Sequence, residues 1–153
     1  MYTRQEISRQ RQAFWTIFGQ YMRPVLSAGG EEINWVNYKT GIKGINFKMN
    51  AEANEASISI VLSQADIAVQ KNSYDQFLQL KSMLHENLGE IWDWKPQVQD
   101  EQGRIISIIS RTITDASINR NEDWPALISF FKPRMIALDA FWNMAKYGFE
   151  DFY

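Results

Sequence analysis

The stretch from Ile45 to Leu62, INFKMNAEANEASISIVL, constrains the fold more than any other part of the chain. Ile45, Phe47 and Met49 alternate with Asn46, Lys48 and Asn50; after the turn AEANEA, Ile58, Ile60 and Leu62 alternate with Ser57 and Ser59. Successive side chains on a strand point to opposite faces, so a period of two sorts apolar from polar groups. The stretch predicts an antiparallel hairpin with one dry face and one wet face, and the rest of the chain must cover the dry one.

Helical spacing supplies that cover. Thr3 and Glu6 have capping-box spacing, and Phe14, Ile17, Phe18 and Tyr21 continue as a stripe until Arg23-Pro24. Ser73 with Gln76 predicts the start of a second helix, whose stripe of Phe77, Leu80, Leu84 and Leu88 stops at Gly89. A last helix opens with Asp123 as N-cap and Pro125 in the first turn, and Pro133 is expected to kink or break it. Its second half, with Ile136, Leu138, Phe141, Trp142 and Ala145, is apolar over much of its circumference. Period-two patterning predicts three further strands: INWVNY (33–38), EIWDWKPQ (90–97) and RIISIISRTIT (104–114). The last is apolar on both faces, as expected of a central or doubly covered strand. The expected order is α-β-β-β-α-β-β-α: one α+β domain over residues 1–153, with helices packed on a mainly antiparallel five-stranded sheet.

Composition narrows the function classes. At 153 residues with 14% aromatics, the chain has material for one well-filled core. A formal charge of -2 gives no general attraction to phosphate backbones, so nucleic-acid binding is possible but disfavoured without a local basic patch. The chain has no cysteine, which removes disulfides, thiolate nucleophiles and sulfur-ligated zinc. The polar start MYTRQEISRQRQ is unlike a secretory signal, and no apolar run approaches the roughly 18 residues of a spanning helix. A cytoplasmic protein without membrane contact is expected.

With these elements placed, RQAFWTIFGQYM, LGEIWDW, NEDWPALISFF and ALDAFW resemble the landmarks of the bacterial family known as domain of unknown function 4268, over about residues 11–149. Members often follow a nuclease-like or restriction-associated domain in a longer chain. The resemblance thus implies an accessory of restriction or nucleic-acid processing, although this chain opens at Met1 and is expected to stand alone. The family's landmarks are aromatics and caps, and they bring no catalytic residues.

The first six expected elements, αβββαβ, also match the core order of the metal-dependent nuclease fold of restriction enzymes, here in degenerate form. Such a site needs an acid on one strand and acid-x-lysine on the next, so that carboxylate oxygens hold the metal while the lysine orients water. The first hairpin strand has Asn46, Lys48 and Asn50 instead, and ASISIVLS has neither acid nor lysine. A nuclease-like enzyme would have to relocate its acids to Glu52, Glu55 or Asp66, and this is the rival reading.

His85, the single histidine, flanks the helical stripe and reads as an edge-of-core residue. Gly29-Gly30 lacks the lysine and hydroxyl residue of a phosphate loop. Trp92 and Trp94 share a strand face and, with Arg104, Arg111 and Lys48, are the candidate binding residues; core packing is the alternative for the two indoles. Phe149, Phe152 and Tyr153 either fold back on the core or complete a dimer. The expected function is a non-catalytic binding or interaction domain with no cofactor and no metal. Its partner is an unknown protein or a second copy bound through the C-terminal helix.

Overall fold

At the start of the chain the Glu6 amide donates to the Thr3 hydroxyl at 3.1 Å and the Thr3 amide donates to the Glu6 carboxylate at 3.4 Å, so α1 (Arg4–Met22) opens with a capping box. The computed structural model describes residues 3–152. After α1, residues 23–44 form a long irregular loop. There follow β1 (Ile45–Ala51), β2 (Glu55–Leu62), α2 (Ile67–Gln79), α3 (Lys81–Leu88), β3 (Asp93–Gln99), β4 (Ile105–Thr114) and α4 (Trp124–Ala145). Short 3-10 turns at Asn121–Asp123 and Lys146–Phe152 flank α4.

The strands form one antiparallel sheet in the order β1-β2-β4-β3. Residues opposite each other in an antiparallel ladder share a face. Phe47, Ile60, Ile109 and Trp94 therefore form one row, and Lys48, Ser59, Ser110 and Asp93 form the neighbouring row on the other face. The first row meets the helices: Tyr74 of α2 contacts Trp94 edge-on at 5.8 Å between centroids, and Trp142 of α4 contacts Phe47 at 5.6 Å. On the opposite face the side chains of Lys48, Asn50, Thr112, Asp93 and Lys95 are exposed. α1 packs outside α4, where Phe14, Trp15 and Phe18 surround Phe131 with ring centroids 5.4–6.4 Å away.

Four of the sequence expectations need correction. The sheet has four strands, not five, because residues 33–38 form no strand. Trp35 is buried and donates its indole N–H to the Val25 carbonyl at 2.9 Å, and Tyr38 bonds to α4. The apolar alternation of this segment reflects anchoring side chains in a loop. Next, the single helix expected from Ser73 to Leu88 is two helices and begins earlier. Asp66 caps α2 by accepting from the amides of Ala68 (2.9 Å) and Val69 (3.4 Å), and Leu80 separates α2 from α3 with φ -98° and ψ 12°. Ser73 is interior to α2 and buried, accepting from the Gln64 side chain at 3.0 Å. Gly89 does end α3, in the left-handed conformation at φ 70°.

Pro133 does not divide the last helix, which runs unbroken from Trp124 to Ala145. Proline removes one bond to the carbonyl four residues back, but Phe130, Phe131, Met135 and Leu138 around it are all buried, and their packing holds the helix together. At the N-terminus of α4, Asp123 holds the N-cap position as expected, but its carboxylate makes no capping bond; it accepts instead from the Ser117 amide and the Arg120 guanidinium, both at 2.9 Å.

Candidate functional site

The three carboxylates of the nuclease-like reading lie at separate structural posts. Glu52 pairs with Arg11 of α1, Glu55 is exposed at the start of β2, and Asp66 is the α2 cap. No group of three or more His, Asp or Glu side chains able to hold a metal ion occurs among the described residues.

Of the five candidate binding residues, Trp92 and Arg111 meet at Glu90 and Trp94 shares the sheet face of Arg111, whereas Lys48 and Arg104 lie elsewhere. Trp92 is buried and donates to Glu90 at 2.8 Å, while Trp94 lies on the helix-covered face, flanked by Tyr74, by His85 at 6.2 Å and by the Lys81 ammonium at 5.3 Å. Arg111 also belongs to that face and approaches Glu90 at 3.7 Å. Lys48 points to the opposite face, and Arg104 binds Asp100 at 3.0 Å in the turn between β3 and β4. His85 is half-buried at the edge of the core, and its pKa is lowered by that burial and by the nearby Lys81 charge. Arg134 clasps Glu90 with two bonds at 2.7 and 3.0 Å. Burial opposes the Glu90 charge, but the Arg134 and Trp92 bonds and the neighbouring guanidinium charges hold its carboxyl below the usual range.

Of the aromatic C-terminus, Phe149 is fully buried against Phe77 and Trp142, at 4.5 and 5.1 Å between ring centroids. The Phe152 side chain and Tyr153 lie outside the described residues.

A different region brings polar groups together. The long loop lies over the C-terminal half of α4 and encloses with it a cleft of about 560 Å³, within the usual range for small-ligand sites. Asp139 of α4 forms part of its wall; it is only 6% exposed, and it accepts from the Ala28 amide at 2.7 Å and the Tyr38 hydroxyl at 2.6 Å. Burial first, then the bond to Asp139 and its negative charge, push the Tyr38 hydroxyl pKa well above its ordinary value. One turn further along α4, the Trp142 indole donates to the Thr40 carbonyl at 2.7 Å. Ser27, Glu31, Asn34, Asn37, Lys39, Asn143 and Lys146 complete the polar lining.

Glycines in the left-handed region make the loop's path possible, Gly30 and Gly44 among them. Gly30 has φ 79°, and Gly44 has φ 86° with no room for a side chain, since a Cβ there would sit 2.6 Å from Gln64 Cγ. The sequence reading passed over Asp139, although a signal was present: it is an acid within the apolar stripe Met135, Leu138, Trp142 of α4.

The model of the family described as "Domain of unknown function (DUF4268)" matches residues 10–146. No curated protein and no solved structure matches. The family match spans α1 through the end of α4 and so includes every wall of the cleft. The chain belongs to the family described as domain of unknown function DUF4268.

Proposed function

We propose that this chain is a non-catalytic recognition domain whose binding site is the cleft between residues 23–44 and α4. The observation that carries the reading is the loop itself. It extends from Met22 to Ile45 without regular secondary structure, beyond the roughly 12–15 residues at which such loops become uncommon and usually functional. Indole, phenol and carboxylate bonds from Trp35, Trp142, Tyr38 and Asp139 hold it in one conformation. A preorganised polar loop over a concavity binds without a large ordering cost.

Amide ¹⁵N–¹H spectra recorded with a library of neutral, cationic and anionic fragments test the reading. Shifts should concentrate in residues 27–40 and 139–146. Binding confined to the open sheet face around Lys48, Ser59 and Ser110, or absent altogether, would refute it.

A further inference from the structure

We propose that the cleft takes a small ligand carrying an oxyanion, a carboxylate or a phosphate group, seated between Lys39 and Lys146. The inference deepens the recognition reading and rests on it.

The hydrogen bonds already made in the cleft engage the acceptors nearest its buried wall. Asp139 Oδ2 takes the Ala28 amide and Oδ1 takes the Tyr38 hydroxyl. Asn34 Oδ1 accepts from the Asn37 amide at 3.0 Å, and Ser27 Oγ accepts from the Glu31 amide at 3.1 Å. Beside the side-chain amides of Asn37 and Asn143 and the Glu31 carboxylate, the lining keeps donor capacity in the Asn34 side-chain NH₂, the Ser27 hydroxyl hydrogen and two ammonium groups. Among the described residues neither Lys39 nor Lys146 forms an ion pair; the Lys146 ammonium lies 5.3 Å from the Tyr147 ring centroid.

Charge points the same way. Asp139 is shielded by burial and by its two donors, which leaves exposed Glu31 as the one acid at the rim against two lysines. A cationic ligand would meet those lysines and find the Asp139 oxygens engaged. An oxyanion supplies the opposite charge for the two ammonium groups that have no ion-pair partner among the described residues, and bonds from ammonium to oxyanion are the stronger kind.

Inorganic phosphate and citrate are the probes, titrated at constant ionic strength into ¹⁵N-labelled protein with sodium chloride as control. Both probes should shift residues 27–40 and 139–146. Lys39→Met or Lys146→Met should weaken binding by about tenfold or more, the worth of a charge-assisted bond, and Lys39→Arg should retain it. If both Met variants bind as the parent does, the inference is wrong. If neutral or cationic fragments occupy the cleft while phosphate and citrate leave it unshifted, the anion assignment falls and the recognition reading stands. If no compound of any charge shifts the cleft, both fall.

Discussion

The Tyr38 hydroxyl lies 2.6 Å from Asp139 Oδ1, joining residues 101 positions apart and pinning the middle of the long loop to the last helix. Because burial and this carboxylate raise the Tyr38 pKa, the folded state keeps the proton where the unfolded chain loses it. Stability from this group is therefore complete below a pH of about 10, the free tyrosine value, and is lost as pH rises above it. Tyr74, also raised by burial and by Asp75, contributes in the same direction. Urea unfolding between neutral pH and pH 11 should show a fall in stability that is smaller in Tyr38→Phe. At neutral pH the variant should lose about 1.5–3 kcal/mol, as expected for a bond to a charged acceptor. Equal alkaline slopes in parent and variant would contradict the assignment.

Glu90 titrates in the opposite sense. Its bonds to Arg134 and Trp92 depress its pKa, so its contribution is present above the ordinary carboxyl value and fades as pH falls below about 4. Glu90→Gln should flatten the acid limb of the stability profile and cost about 1–3 kcal/mol at pH 7. Differential scanning calorimetry across pH 3–7 reads both effects.

Pro133 is solvent-exposed in an unbroken helix, so replacing it restores a backbone donor for the Ser129 carbonyl. Pro133→Ala should stabilise the protein by about 1–3 kcal/mol, seen as a higher urea midpoint with an unchanged slope. A loss of stability would mean that the packing of α4 depends on a bend at this residue.

Phe131 is fully buried among Phe14, Trp15, Phe18 and Phe130. Phe131→Ala should cost about 3–5 kcal/mol through lost burial and the cavity left behind. Near-ultraviolet circular dichroism of any folded fraction should also lose intensity, because α1 is held to α4 through these rings.

The amino-acid order by itself determined the elements whose signals are local: the capping box of α1, though not its stripe, of which Phe14 and Phe18 are buried but Ile17 and Tyr21 are exposed, the hairpin of β1 and β2, the glycine end of α3 and the apolar character of β4. In each, the alternation or the cap is a contact between near neighbours, so its consequence can be read along the chain. Only the tertiary structure decided the fate of residues 33–38, where Trp35 and Tyr38 have the spacing of a strand but spend their polar atoms on Val25 and Asp139. It also decided that Trp94 and Arg111 lie on one sheet face and Lys48 on the other, since register depends on partner strands. The cleft was illegible for the same reason. Its groups come from a loop and a helix about a hundred residues apart, and an acid in an apolar stripe acquires meaning only when its two donors arrive.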